Sequence, residues 1–249
     1  MQKTILITGA TSGFGKATAK LFAAHNWQLI LCGRRQDRLE TIQKELENVP
    51  VHIAQFDISV RDEVEDFVSN IPQQFSQIDI LVNNAGLALG LEGSDKADLD
   101  HWQTMINTNI SGLLYMTRLI LPQMMKNRTG HIINIGSVAG SYPYPGGNTY
   151  GASKAFVAQF SRNLRCDVAG TGIRVTNIEP GLAETEFSAV RFSGDEKRAS
   201  SVYAGHENLS ATDIAETIFW SASRPAHVNI NSIEIMPVCQ SWAALAIDK

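Results

Sequence analysis

Tyr150 and Lys154 stand four residues apart in Tyr150-Gly151-Ala152-Ser153-Lys154. On a helix that spacing places both on one face, so a phenol and an ammonium point into the same space. A free tyrosine titrates near about 10, too high for acid–base work at neutral pH. A cation within a few ångströms favours the phenolate and lowers that value. Taken alone, Tyr-x-x-x-Lys more often marks an exposed helix pair. Ser137 changes the balance, because it closes the apolar run Ile135-Gly136-Ser137. A hydroxyl there can hold a carbonyl oxygen for Tyr150 to protonate.

A second group of residues suits a phosphate. Thr8-Gly9-Ala10-Thr11-Ser12-Gly13-Phe14-Gly15 follows the first apolar run directly. Glycine at 9, 13 and 15 permits a tight turn, close backbone approach to a phosphate, and close helix–strand packing. The helix that follows presents unpaired N–H groups and a positive dipole end. A solvent loop is the plain alternative, but the position between a first strand and a first helix favours a nucleotide site. The spacing is not that of a P-loop and no lysine follows, which disfavours nucleoside triphosphate hydrolysis.

The end of the second strand selects the dinucleotide. An NAD site generally places an acid there for the ribose hydroxyls, whereas this chain reads Leu31-Cys32-Gly33-Arg34-Arg35. The missing carboxylate removes repulsion against a 2′-phosphate, and a guanidinium fork supplies a charge-assisted bond to it. Arg34 carries that reading toward NADP, with Arg35 beside it; Arg35 or Arg38 reads also as solvating a helix start. Asp57 and Ile58 end the third strand. Asp57 suits either an adenine amino group or a helix N-cap.

The elements that must position these groups alternate along the whole chain. Strand-like runs occur at Thr4–Thr8, Gln28–Cys32, Val51–Phe56, Ile80–Val82, His131–Ile135, Arg174–Ile178 and Ser232–Ile235. Most are nearly continuous apolar runs, as parallel strands covered on both faces require. Helix-period segments lie between them at Gly15–His25, Arg38–Glu47, Val60–Phe75, Leu113–Lys126 and Tyr150–Val168. Ser59…Asp62 and Ser210…Asp213 have capping-box spacing. The pattern predicts one α/β domain over 1–249, a doubly wound parallel sheet (Rossmann fold) of about seven strands with helices on both faces. Residues 181–205 lack clean periodicity and read as a lid insertion over the site. Residues 237–249 form a C-terminal tail, apolar at its end, that is expected to pack on the body or on another subunit.

Composition narrows the function classes. The chain has 249 residues, 44% hydrophobic and 18% charged, with a formal net charge of −4. That length buries a full core without disulfides or metals. The mild negative balance argues against nucleic acid or an anionic membrane as partner. No apolar run is long enough to span a bilayer. The first strand begins almost at Met1, leaving no room for a signal peptide. Cys32, Cys166 and Cys239 are odd in number and far apart, which fits reduced thiols in a cytoplasm. Cys166 reads as helix packing. His101, His131, His206 and His227 lack partners at ligand spacing, so no metal site is expected.

With these motifs in order, the chain resembles the short-chain dehydrogenase/reductase family along essentially its whole length. The matching residues are Thr8-Gly9…Gly13-x-Gly15, Asn83-Asn84-Ala85-Gly86, Asn109, Ser137, Tyr150/Lys154 and Pro180-Gly181…Thr185. The resemblance implies Tyr150 as general acid/base, Ser137 as the residue orienting the substrate oxygen, and Lys154 as the ribose anchor that also lowers the tyrosine value. It implies that Asn109 keeps a water joining Lys154 to solvent. Asn84, Ala85 and Gly86 would pack against the adenosine ribose and the sheet, and Pro180, Gly181 and Thr185 would line the nicotinamide. A homotetramer is implied too; the residues themselves support only an oligomer.

Longer shared runs resemble the NADP-dependent 3-hydroxy acid (serine and allo-threonine) dehydrogenase subgroup. They include Thr185-Glu186-Phe187-Ser188-x-Val190-Arg191-Phe192 and Met236-Pro237-Val238-x-Gln240-Ser241. One departure is Ala183-Glu184, in a segment one residue shorter than that subgroup leads one to expect. An acid substrate needs a cation, and Arg191 on the lid either binds that carboxylate or is solvated. Tyr142 and Tyr144 shape a pocket wall or pack in a core or interface. Two other functions remain compatible with the residues. One is a ketoreductase for a neutral carbonyl; the other is a non-catalytic NADP(H) sensor, which would not need Asn109, Ser137, Tyr150 and Lys154 together.

Overall fold

Every residue of β1 (Thr4–Thr8) is buried, and alternation sends its side chains to two different cores. Ile5 and Ile7 enter one apolar cluster, while Leu6 enters the other. A strand covered on both faces needs parallel neighbours and crossover helices, and this computed structural model supplies both. It describes residues 2–192, 194–205 and 207–242. The other strands are β2 (Gln28–Gly33), β3 (Val51–Gln55), β4 (Ile80–Asn83), β5 (Gly130–Ile135), β6 (Ile173–Pro180) and β7 (Ser232–Ile235). Their order across the sheet is β3-β2-β1-β4-β5-β6-β7, with every pairing parallel.

The helices divide by face. On one side α1 (Gly13–Ala24), α2 (Gln36–Glu45) and, near the chain's end, a helix at Ala211–Ala222 bring Phe22, Leu39, Ile42, Ile214 and Ile218 onto Ile5 and Ile7. On the other, α3 (Arg61–Ser69) contributes Val64 and Phe67. After α4 (Leu99–Ile106), α5 (Leu113–Asn127) contributes Met116 and Ile120, and α6 (Asn148–Asp167) contributes Leu164. Two short helices follow β6, α7 (Phe187–Arg191) and α8 (Glu196–Ser201), before Ala211–Ala222, hereafter α9. Strand order reverses between β1 and β4, and a crevice opens there at the carboxyl ends of the strands.

Several local expectations are revised. The Val60–Phe75 segment is not one helix: α3 stops at Ser69, and a 3₁₀ turn at Gln73–Phe75 starts after Pro72. Proline holds its predecessor out of the helical region, which accounts for the break. Ser59 and Asp62 form no capping box, because the Ser59 N–H and hydroxyl both donate to Asp57 Oδ1, at 2.9 and 2.7 Å. Ser210 and Asp213 do form one. Cys166 is exposed rather than packed, and all three cysteines are free. The 181–205 segment is not irregular throughout, since it carries α7 and α8. No described helix is long and apolar enough to cross a membrane. Of the tail, residues 243–249 lie outside the described part, as does His206. Trp242 packs on Tyr142, ring centroids 6.0 Å apart, and its indole donates to Glu234.

Candidate active site

The crevice is built from the glycine turn outward. Thr8 Oγ1 accepts from the N–H groups of Asn84 and Ala85, both at 3.0 Å, which ties β1 to β4. The Asn84 amide donates to the Thr8 and Gly9 carbonyls at 2.8 and 3.1 Å, holding the turn open from beneath. Gly9 and Gly13 adopt positive φ of 65° and 49°, which glycine tolerates without strain. A Cβ on Gly15 would sit 2.4 Å from the Gly9 carbonyl oxygen, so only glycine lets α1 approach this closely. Ala10 and Gly15 serve the turn's packing and do not line the crevice. Thr11, Ser12, Gly13 and Phe14 do, together with Ile58, Asn84, Ala85 and Gly86. The first turn of α1 has neither a side-chain cap nor an acid, leaving its N–H groups available to an anion.

Arginines surround the outer end. Arg35 donates from Nε and Nη2 to Thr11 Oγ1, at 3.2 and 2.7 Å, and from Nη2 to Ser12 Oγ at 3.0 Å. Arg34 is the more exposed of the two and faces Asp57 at 3.6 Å. Asp57 therefore serves Ser59 and Arg34 in the protein. Burial pushes its carboxyl up, but its bonds to Ser59 and the Arg34 charge prevail and hold it below the usual range. Glu186, which sequence reasoning did not single out, reaches this cluster from the start of α7. Both its oxygens lie 2.7 Å from Arg38 Nη1, and Oε2 also accepts from Arg35 at 3.2 Å. These arginines overcome a burial effect and keep its carboxyl below the usual range. No local pattern pointed to it: its partners lie about 150 residues away in sequence.

Deeper in the crevice, Ser137, Tyr150 and Lys154 meet where β5 ends and α6 begins. Lys154 is buried, and its Nζ donates to the Ile135 carbonyl at 2.8 Å; burial pushes its amine down to about 8. Burial pushes the Tyr150 phenol up to about 12, against the hydrogen bond to Ser137 and the Arg191 charge, which pull it down. The lowering expected from Lys154 is not found: the cation that pulls this phenol down is Arg191. Ser137 Oγ accepts from Ala139 N–H at 3.1 Å and lies 3.4 Å from the Pro180 carbonyl. Asn109 is buried behind them in a π-type turn (Asn107–Gly112) that joins α4 to α5. It pairs with both backbone groups of Leu87 at 2.9 Å and donates to Ser153 Oγ at 3.0 Å.

The segment after β6 is anchored at both ends beside the crevice. Ala183 bridges Leu209, with Glu184 N–H donating to the Leu209 carbonyl at 2.7 Å. Thr185 stands opposite Gly13, and its Oγ1 accepts from the Phe187 N–H that starts α7. Gly90 N–H donates to the Arg191 carbonyl at 3.0 Å, fixing the other end of α7. Beneath it a second cavity of about 310 Å³ joins Ser137 and Tyr150 to Tyr142, Tyr144, Arg191 and Gln240. The Arg191 guanidinium lies 5.1 Å from the ring centroids of both Tyr150 and Phe187, and Nη2 donates to Tyr144 Oη at 3.1 Å. Its Nε is buried with no hydrogen-bond partner among the described residues. Gln240, also not singled out beforehand, accepts from Leu182 N–H at 2.6 Å through Oε1. No group of metal-ligating side chains occurs among the described residues.

Comparison with known proteins agrees with this geometry. The model of the short chain dehydrogenase family matches residues 3–196. The NADP-dependent 3-hydroxy acid dehydrogenase YdfG of Salmonella typhi is 53% identical over 247 residues, spanning 98% of this chain and 99% of that protein. Sulfoacetaldehyde reductase 2 of Chromohalobacter salexigens is 49% identical over 251 residues, 100% of each chain. Among solved structures, the closed form of a serine dehydrogenase complexed with NADP+ superposes with a TM-score of 0.97. It is 51% identical and covers 99% of both chains.

Proposed function

The chain belongs to the short chain dehydrogenase family, and from that membership we propose that it transfers a hydride between NADP and a small 3-hydroxy acid. It is an NADP-dependent oxidoreductase acting on CH–OH groups, as its similarity to the 3-hydroxy acid and serine dehydrogenases supports. The crevice fits the cofactor: an uncapped helix end, a glycine turn without side chains in the way, and Arg34 and Arg35 beyond Gly33 where an acid would repel a 2′-phosphate. NADP, when bound, supplies the acceptor or donor of the hydride.

The chain's own residues do the rest. Tyr150 gives or takes the proton at the substrate oxygen, and Ser137 holds that oxygen in place. Lys154 anchors the nicotinamide ribose and supplies positive charge below the phenol. Asn109 acts at one remove, fixing Leu87 and Ser153 so that the first turns of α6 present Tyr150 and Lys154 together, and it marks the route for proton relay. Gly9, Gly13, Asn84, Ala85 and Gly86 shape the cofactor's bed, with Asp57 and Ile58 at its adenine end. Pro180, Gly181 and Thr185 form the wall beside the nicotinamide. Residues 181–205 act as the lid.

Arg191 carries the substrate assignment. A half-buried guanidinium whose buried Nε–H is unused, stacked over the tyrosine that handles the proton, is costly unless an anion completes it. The substrate's carboxylate is that anion. Arg191→Met should raise KM for 3-hydroxypropionate by about tenfold or more, the loss expected of a charge-assisted bond. KM for a neutral secondary alcohol should move about twofold at most. Equal effects on both would favour a neutral carbonyl substrate and remove Arg191 from the reading.

We also place the enzyme in the cytoplasm as a homotetramer; free cysteines and the exposed Val238 and Trp242 support this. Gel filtration should give a mass well above the 27.3 kDa chain, and elution as a monomer would contradict the assembly.

A further inference from the structure

Glu186 precedes α7, and Arg191 ends it. At about 1.5 Å rise per residue, five residues place the two backbone positions about 7.5 Å apart along one short helix. One end is clasped to Arg38 by both carboxylate oxygens and to Arg35 by one. The other end lies over Tyr150 and is fixed by Gly90. We propose that Glu186 is a positioning and specificity-determining residue: it clasps the lid to Arg38 and to Arg35, one of the two arginines that receive the cofactor's 2′-phosphate, so that α7 couples cofactor choice to capture of the substrate's acid group. This rests on the reading of NADP at Arg34 and Arg35 and of the substrate acid at Arg191.

The charges at this corner set the sign of the effect. Arg34, Arg35 and Arg38 face Asp57 and Glu186, three cations against two anions. A phosphate entering there meets a net attraction that Glu186 weakens by one charge. The same carboxylate is what ties the lid to the body. Glu186 therefore lowers affinity for the 2′-phosphate and raises affinity for the substrate. A residue that merely supported the fold would move both in the same direction. Glu184, exposed and outside any ion pair among the described residues, is the matched control on the same segment.

The test uses 2′,5′-ADP and 5′-ADP as probes in calorimetry on the full chain, with steady-state kinetics on 3-hydroxypropionate. Glu186→Gln should bind 2′,5′-ADP about threefold more tightly, within the range of an exposed ion pair. Its affinity for 5′-ADP should stay level. KM for the acid should rise severalfold, more than kcat falls. Glu184→Gln should match the native chain in all three. If Glu186→Gln leaves both quantities unchanged, or weakens 2′,5′-ADP binding, the clasp is wrong while the cofactor reading stands. If the native chain binds 2′,5′-ADP no more tightly than 5′-ADP, the cofactor reading fails and the clasp falls with it.

Discussion

Lys154 shows what a single buried cation costs in stability. Its amine is buried at 6% exposure and pushed down to about 8 from an ordinary 10.5. Carrying the proton in the fold at pH 7 costs roughly 3 kcal/mol, offset in part by the bond to Ile135. Between pH 8 and 10.5 the unfolded chain holds this proton while the folded chain does not, so the group's penalty fades as pH rises through that window. Lys154→Met should abolish turnover and yet raise the melting temperature at pH 7, by about 2–4 °C for each kcal/mol recovered. The gain should shrink at about pH 9.5. A gain that grows with pH would contradict the assignment. Tyr150, Lys154 and Ser137 were legible in the sequence because helix spacing and a strand end fix their directions locally. Glu186 and Gln240 were not, because each acquires its partners only through the fold.

At the level of elements, the glycines of the turn carry different kinds of constraint. Gly13 has positive φ but room for a methyl, which would stand at ordinary contact distance from Thr185, whereas Gly15 has no room for one. Alanine at Gly13 costs the left-handed conformation, about 1–2 kcal/mol. Alanine at Gly15 drives a methyl into the Gly9 carbonyl and must displace the turn. Gly15→Ala should therefore lower stability and NADP affinity more than Gly13→Ala, in denaturant melts and fluorescence titration. The reverse order would mean that the turn is not packed as described. All seven strands were readable, most of them as nearly continuous apolar runs because both faces are buried. Less readable were α4, α7 and α8: α4 keeps only Met105 buried, and α7 and α8 span 5 and 6 residues. Such short or exposed helices are set by tertiary contacts and leave little periodic signal.

For the whole molecule, a net charge of −4 coexists with a cationic corner of three arginines at the crevice mouth. Bulk charge disfavours polyanions, while the local field suits one phosphate. The sheet places that corner and the Ser137–Tyr150–Lys154 group along one crevice, and the segment bridged to Leu209 through Ala183 lines it. One assay of the native chain tests hydride transfer between NADP and a 3-hydroxy acid most directly. Initial rates of reduced-cofactor formation are measured with serine, 3-hydroxypropionate and a neutral secondary alcohol, each with NADP and with NAD. The expected result is a kcat/KM with NADP and a 3-hydroxy acid that exceeds every other combination by at least about tenfold, the worth of one charge-assisted contact. Equal rates with NAD, or a preference for the neutral alcohol, would contradict it.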